Sequence, residues 1–345
     1  MTMKRIYKLL VTAAAAITPL LTGCQVSPAT AIEGEYALGD QSVQINGIII
    51  NLADWPGSSV TVTATNEDHA VIRIDSLLPG IDSFSMTADV AKESGSKYRF
   101  YSSEPYYYSP DREIYISGNV RNGDITLSIT DNRMSAVTGR WRPAYGSDGM
   151  IGMNLSFSSP LVTEITIGGI TLPIEDAVPL INSLAKSVIT PLTAELRQIE
   201  LDHSGYVSIS WNGDIDPMIE PLLSGVVQYW TEYDTQRLHL YLRKTITDGI
   251  GLSVSPAELV LTYSGTEDGS RLSIGLDRAA AAPIAELISS YLNSMTYEDY
   301  ISAGSPLGEI DRDTFGQIQS TVTLLSAALA MPSTEFRLEF LLSRI

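Results

Sequence analysis

The stretch Glu113–Thr130, EIYISGNVRNGDITLSIT, carries the clearest structural pattern in the chain. Apolar and polar residues alternate on both sides of Asn122-Gly123, and these two residues tolerate the positive φ angles of a two-residue hairpin turn. The aliphatic residues of each run share one face of an extended chain: Ile114, Ile116 and Val120 in the first run, Ile125, Leu127 and Ile129 in the second. The pattern predicts two antiparallel strands with one apolar face.

Short segments of the same kind precede this hairpin and are separated by Gly, Asn, Asp and Pro. The predicted strands are Ser42–Ile50, Ser59–Ala64, Ala70–Ser76, Ser83–Val90 and Tyr98–Ser102. Seven or eight short strands at this spacing are typical of an antiparallel barrel or sandwich. We therefore predict an N-terminal antiparallel β-barrel or sandwich over residues 34–135.

The region after Gly139 mixes strands with helices. The predicted strands are Asn154–Phe157, Val162–Ile167, Ile170–Leu172, Tyr206–Trp211, Arg237–Lys244, Glu258–Tyr263, Arg271–Leu276 and Thr334–Ile345, with Gly168-Gly169 joining the second to the third. The predicted helices are Ile174–Arg197, with a kink or break at Pro191, Arg278–Met295 and Asp311–Ala330, with a shorter one over Pro217–Val227. Since strands come in runs, we predict a mainly β fold with added helices (α+β), whose second domain, residues 136–345, is β-rich and decorated by about three helices.

The N-terminal segment has the layout of a lipoprotein signal. Lys4, Arg5 and Lys8 precede the apolar run Leu9–Leu21, and small residues before Cys24 form a lipobox. The apolar run is shorter than the roughly 20 residues that a membrane-spanning helix needs. We expect a signal peptide over residues 1–23, lipid on Cys24, a tether over residues 24–33 and a membrane anchor through that lipid.

Charge restricts the location and the partners of the chain. No acidic residue lies between Gln25 and Ile32, so comparison with known lipoproteins predicts an outer-membrane anchor facing the periplasm, with surface exposure as the open alternative. The chain has 22 basic and 40 acidic residues, a net charge of −18, and loss of the three basic signal residues makes it −21. This charge repels phosphate backbones, so nucleic acid is not an expected partner, and neutral or cationic ligands stay open.

No residue pattern points to catalysis. The chain contains three histidines and one cysteine, and neither an HExxH sequence nor a cysteine pair supports a zinc site. A pair of carboxylates acting as in a glycosidase stays open, because forty acidic residues contain many pairs. We predict a non-enzymatic protein with no catalytic residue, metal or cofactor.

The most suggestive local feature is a run of three tyrosines, Tyr106, Tyr107 and Tyr108, between Pro105 and Pro110. Prolines at both ends favour a loop, and aromatic rings with polar tips suit a sugar or a peptide. Trp55, followed by Pro56-Gly57, is a second loop aromatic that could join this platform. In the alternative interpretation the tyrosines cover a barrel end or pack on the other domain. A hydrophobic ligand inside the barrel would need a cavity there.

Parts of the chain resemble the calycin-like lipoproteins of Bacteroides and relatives. The resemblance rests on the lipobox, the Gly34-Glu35-Tyr36 opening and the short strands through Leu77-Leu78-Pro79-Gly80 and Ile116-Ser117-Gly118-Asn119-Val120. The Gly-x-aromatic spacing recurs at Gly139-Arg140-Trp141; in lipocalin-like proteins a Gly-x-Trp closes the barrel floor, whereas two unrelated strand starts would give the same spacing. The resemblance is strongest over residues 24–135. It implies a lipocalin-like barrel on the cell envelope with no established reaction and no functional residues to transfer.

Two functions are compatible with these observations. The first is a non-enzymatic envelope lipoprotein that binds a small hydrophobic molecule, a glycan or a peptide through a barrel mouth or through Trp55, Tyr106, Tyr107 and Tyr108. The second is a structural or assembly lipoprotein whose acidic surface contacts a protein partner in the envelope.

Overall fold

A computed structural model describes residues 26–167, 170–212, 224–244, 257–302 and 311–345. The predicted signal peptide with Cys24, the Gly168-Gly169 turn and the first part of the helix predicted over Pro217–Val227 lie outside these residues. The chain divides into two compact units. The first unit contains the described residues up to Tyr106 together with Ile114–Thr130, and the second contains Tyr107–Glu113 and Asp131–Ile345.

The first sheet has ten strands and is open. Its strands are β1 Gly34–Tyr36, β2 Val43–Ile45, β3 Ile48–Ile49, β4 Ser59–Ala64, β5 His69–Leu78, β6 Ile81–Ser94, β7 Lys97–Tyr101, β8 Tyr106–Ser109, β9 Arg112–Arg121 and β10 Asp124–Arg133. They follow the order β1-β4-β5-β6-β7-β9-β10-β2-β3, with β8 paired to β9. The sheet curves into a half-barrel, and β2 runs parallel to β10. The predicted antiparallel barrel or sandwich is therefore confirmed only in part: the β-rich sheet is present and mostly antiparallel, but it is an open half-barrel with one parallel pair. A short helix, α1 Pro28–Ala31, and a 3-10 turn, Leu52–Asp54, complete it.

Most strands predicted for this region are confirmed, and two local predictions are wrong. Ser42–Ile50 is a tight hairpin, not one strand, because Asn46 and Gly47 take φ angles of 51° and 81° and reverse the chain between β2 and β3. The loop predicted at Tyr106–Tyr108 is strand β8. Tyrosine favours strands, and the flanking prolines fall just outside β8, where no ladder N–H is needed.

One apolar face of this sheet forms the core of the first unit. All six aliphatic residues of the Glu113–Thr130 hairpin are buried in it, which confirms the predicted face. Val60, Val62, Ile72 and Ile74 add to it from β4 and β5. The alternation of the sequence therefore fixes which side of the sheet is inside.

The second sheet closes into a barrel. Its strands are β11 Gly139–Pro143, β15 Leu196–Leu201, β16 Tyr206–Trp211, β17 Ser224–Glu232, β18 Arg237–Leu242, β19 Ala257–Gly265, β20 Arg271–Asp277 and β21 Glu335–Arg344. The first of them, β11, pairs with both β15 and β21, so the eight strands form a closed ring. Two further pieces lie outside the ring: β12 Met153–Ser158 pairs with β21, and β13 Glu164–Ile167 pairs with β14 Ile170–Pro173. The closed barrel thus lies in the second region of the chain and not in the first.

Side chains fill the interior of this barrel. The inward residues follow the predicted alternation: Leu238 on β18 lies opposite Leu261 on β19, and Leu272 on β20 opposite Leu342 on β21. The buried cluster consists of Val137, Trp141, Leu201, Val207, Tyr229, Leu238, Leu261, Tyr263, Leu272 and Leu342. An eight-stranded barrel is just wide enough for such a core.

Within the described part of the second region, four helices accompany the barrel: α2 Ile174–Ala194, α3 Arg278–Ser294, α4 Tyr297–Ser302 and α5 Arg312–Ala330. The three long helices are confirmed; Asp277 and Asp311 cap α3 and α5 by accepting N–H bonds from Ala280 and Thr314. Three details differ from prediction: Pro191 does not divide α2, Arg197 lies in β15, and Ser224–Val227, predicted as helical, belongs to β17.

Candidate functional site

The four aromatic residues predicted to bind a ligand are not presented on one surface. Trp55 is only 7% exposed and belongs to the core of the first unit. Tyr106 is half-buried and stacks on Phe84, with ring centroids 5.4 Å apart. Tyr107 and Tyr108 are exposed on β8. Of the four predicted residues, only Tyr107 and Tyr108 expose enough of the ring to contact a large ligand.

A pocket of about 510 Å³ opens at one end of the closed barrel. Its wall combines the turn between β17 and β18, the end of β19, the segment that precedes β11, and Asp111 from the turn between β8 and β9. The side chains of interest are Asp111, Met134, Tyr233, Asp234, Gln236 and Tyr263. All of them belong to the second unit. The pocket therefore brings together carboxylates, phenols, an amide and a thioether.

The Asp111 carboxylate is held rigidly at the wall of this pocket. Thr231 donates its hydroxyl to Oδ2 at 3.0 Å, and Ser109 donates to Oδ1. The backbone carbonyl of Asp111 accepts the N–H of Met134 at 2.8 Å. A buried carboxylate with two hydroxyl donors retains lone pairs for a further donor, so Asp111 can accept a hydrogen bond from a ligand.

The phenol of Tyr263 supplies the complementary donor. Burial, together with the nearby Asp111 and Tyr233, raises the pKa of Tyr263 to about 12. The hydroxyl therefore remains protonated at neutral pH and can donate to a ligand oxygen. The neighbouring Tyr233 and Met134 are about half exposed, at 52% and 50%, and offer apolar surface at the rim.

A buried charge cluster follows Asp111 in the chain. Arg112 donates Nε–H and Nη2–H to the two oxygens of Asp131, at 2.9 and 2.8 Å, and Arg133 donates Nη2–H to Asp131 at 2.8 Å. Burial would raise the pKa of Asp131, but the two guanidinium groups outweigh burial and hold this pKa well below its ordinary value. Burial lowers the pKa of Arg112 despite its bond to Asp131. The cluster fixes the start of β9 to the end of β10, and Asp111 directly precedes β9.

Asp111 and this cluster are not among the residues predicted from sequence, although the strand pattern contains a signal for the cluster. Arg112 is in phase with the buried Ile114 and Ile116, and Asp131 and Arg133 are in phase with the buried residues of β10. Charged residues on the inward face of a strand predict a buried ion pair, because an isolated buried charge is too costly.

Comparisons with protein-family models, with curated proteins and with solved structures gave no match to this chain. Within the described residues, no group of three or more His, Cys, Asp or Glu side chains is arranged to hold a metal ion. Over the same residues, no helix is both long and apolar enough to cross a membrane.

Proposed function

We propose that this protein is a non-enzymatic lipoprotein of the cell envelope that binds a glycan or a peptide at the end of its closed barrel. The observation that carries the proposal is the pocket in which the Asp111 carboxylate and the Tyr263 phenol lie beside the exposed ring of Tyr233. An aromatic ring packs on the apolar face of a sugar or side chain, while carboxylate and phenol bind its hydroxyl or amide groups.

The filled barrel favours this end pocket over a hydrophobic ligand inside the ring. Trp141, Tyr229 and Leu272 are completely buried and occupy the interior. A lipid-sized molecule would have to displace them, whereas a polar ligand at the barrel end displaces only water. The net charge of −18 favours a neutral or cationic ligand over an anionic one.

The cellular location follows from the N-terminal sequence alone. The lipobox ending at Cys24 supports a diacylglycerol anchor and an outer-membrane position facing the periplasm. The calycin-like relationship is supported by Gly139-Arg140-Trp141 at the first strand of the closed barrel. Radiolabelled palmitate incorporated into the wild-type chain but not into Cys24→Ser would support the anchor, and equal incorporation would contradict it.

The binding proposal is tested with the lipid-free mature chain against N-acetylchitotriose, mannotriose, maltotriose and lysine-containing tripeptides. By calorimetry we expect at least one of these probes to bind, with at least tenfold weaker binding to Tyr233→Ala and to Asp111→Asn. Tyr101→Ala removes a comparably exposed tyrosine from the first unit and serves as the matched control with unchanged binding. Binding of fatty acid alone, or equal losses in all three variants, would overturn the proposal.

A second candidate, an assembly lipoprotein, is favoured by an exposed apolar stripe on α3. Ile284, Leu287, Ile288 and Tyr291 recur at helical spacing, and Leu287 is 67% exposed. A photoreactive amino acid at position 287 should then crosslink a stoichiometric partner in intact envelopes. Recovery of uncrosslinked monomer only would remove this candidate.

A further inference from the structure

A groove of about 880 Å³ separates strand β13 from helix α5 in the second unit. One wall is formed by Glu164, Ile165 and Thr166 of the strand. The other is one face of the helix, including Asp313, Gly316, Ser320 and Leu324. This groove is separate from the barrel-end pocket and shares no lining residue with it.

The lining pattern places the groove along the edge of β13. Successive side chains of a strand point to opposite faces, so three consecutive residues can line one cavity only where that cavity runs beside the strand. No residue of β14 lines the groove. Among the strands that the structure describes, β13 pairs with β14 alone. The groove therefore borders the unpaired edge of the hairpin.

The hydrogen-bond register shows which backbone groups face the groove. Ile174, which follows β14, donates its N–H to the carbonyl of Thr163 at 2.9 Å, so Thr163 points its backbone groups toward the β14 side. Bonding direction alternates along an antiparallel strand, and Glu164 and Thr166 therefore direct their N–H and C=O groups outward. Within the described part of the chain, neither makes a backbone bond beyond its own hairpin.

The chemistry of the two walls defines the kind of occupant. Ile165 and Leu324 supply apolar surface, and Gly316 leaves the helix face open, with nothing near the position of an added Cβ. Two carboxylates of the lining, Glu164 and Asp313, make no ion pair with any described residue. Arg312 also lines the groove, but its guanidinium is paired with Glu298, outside the lining. The groove thus has apolar surface, a row of open backbone groups and uncompensated negative charge.

We propose that this groove binds an extended basic segment of a partner protein, which adds as a strand to the free edge of β13. Main-chain hydrogen bonds to Glu164 and Thr166 hold the segment. Its alternate side chains divide between the apolar surface at Ile165 and Leu324 and the carboxylates of Glu164 and Asp313. The acidic charge of the groove selects lysine or arginine in the segment.

The test begins with a phage library of randomised octapeptides selected on the mature chain. We expect enrichment of sequences that alternate apolar residues with Lys or Arg. For a synthetic peptide of this kind, methylation of the amides of one parity should weaken binding at least tenfold, because those N–H groups face β13. Methylation at the other parity should change binding less than twofold.

Matched proline variants on β13 and β14 show which edge of the hairpin binds the peptide. Thr166→Pro removes an N–H that faces the groove and should weaken peptide binding at least tenfold. Thr171→Pro removes an outward N–H from the opposite edge of the hairpin and should leave binding unchanged. Glu164→Lys with Asp313→Lys should transfer preference from the Lys peptide to its Glu counterpart. Thermal unfolding of each variant verifies that the chain remains folded.

Several outcomes would overturn the proposal. They are failure to enrich any alternating basic sequence, equal effects of the two methylation series, and equal effects of Thr166→Pro and Thr171→Pro. Concentration-dependent dimerisation that Thr166→Pro abolishes would also overturn it, since the edge would then belong to a second copy of the chain.

Discussion

The two sheets of this protein begin alike and end differently. In the first, Tyr36 donates its hydroxyl to the carbonyl of Ile32 at 2.6 Å; in the second, Trp141 donates its indole N–H to the carbonyl of Val137 at 2.7 Å. Each aromatic lies two residues after a glycine with positive φ, and each glycine opens the first strand of its sheet.

The difference arises at the other end of each sheet. In the second, β21 returns to pair with β11, and the guanidinium of Arg344 lies 5.5 Å from the centre of the Trp141 ring. In the first, β1 pairs with β4, and the opposite end of the sheet is the short hairpin β2-β3. The same start therefore does not ensure closure. Closure requires a last strand whose register matches the first, and a closed ring leaves no edge for another chain to use.

The strongest destabilisation is expected where the barrel closes, at the pairing of β11 with β21. Trp141 is completely buried, so Trp141→Ala should destabilise the second unit by about 3–5 kcal/mol, through lost burial and a cavity. Tyr36→Ala, at the half-buried counterpart, should have a smaller effect on the first unit. Amide NMR signals from each unit, followed through urea unfolding, measure the two separately. Equal losses of unfolding free energy in the two variants would show that Trp141 and Tyr36 contribute alike to their sheets.

A buried ion cluster and an exposed ion pair give the next contrast. Asp131→Asn leaves Arg112 and Arg133 buried without their shared carboxylate, and we expect a loss of about 3 kcal/mol. Asp75→Asn, which breaks the more exposed pair with Arg73 in the first unit, should change stability little. Urea titrations provide both values. A large effect at Asp75 with none at Asp131 would contradict the described burial.

Acid should unfold the second unit through the same cluster. Because Arg133 and Arg112 hold the pKa of Asp131 below its unfolded value of about 4, the cluster stabilises the fold above that pH, and this stabilisation is lost as the pH falls through the lowered pKa. The unfolding free energy of the wild type should therefore fall more steeply below about pH 4 than that of Asp131→Asn. If the unfolding free energies of the wild type and Asp131→Asn changed in parallel from pH 6 to pH 2, titration of Asp131 would not be coupled to unfolding.

A smaller difference in stability is expected between variants of Gly139 and Gly34, the glycines that open β11 and β1. Gly139→Ala places a Cβ 3.2 Å from the Arg344 side chain at a φ of 140°, and should cost about 1–2 kcal/mol. Gly34→Ala meets no atom within 4 Å and should cost less. Differential scanning calorimetry of the two variants shows which substitution lowers thermal stability more. A reversed order would show that Arg344 moves aside freely.

Local features of this fold were predictable from sequence, and non-local ones were not. The Asn122-Gly123 hairpin, the alternation at Leu238 and the caps at Asp277 and Asp311 depend on neighbours a few residues away. The pairing of β11 with β21 joins residues about two hundred positions apart, and no periodicity encodes it. Strand β15 is not predicted from the sequence, because its first residues, Leu196 and Arg197, also continue the helical pattern of α2.

The site was harder to predict than the fold. Nearby prolines favour loops and predict exposed rings for Trp55, Tyr106, Tyr107 and Tyr108, but a proline does not determine whether the neighbouring ring is buried. Trp55 is instead part of a core, because a large ring beside a 3-10 turn stabilises more when buried. Asp111 reaches the barrel-end pocket through a turn whose position depends on the buried Arg112–Asp131 pair, which is a tertiary feature.

Recognition at the barrel end, with a filled interior, can be followed by an amide NMR titration of the mature chain with the saccharide and tripeptide panel. We expect saturable shifts concentrated at Tyr233–Gln236, Tyr263 and Asp111, with unchanged signals from Leu238 and Leu272. Shifts centred on Leu238 and Leu272, with none around Tyr233, would contradict recognition at the barrel end.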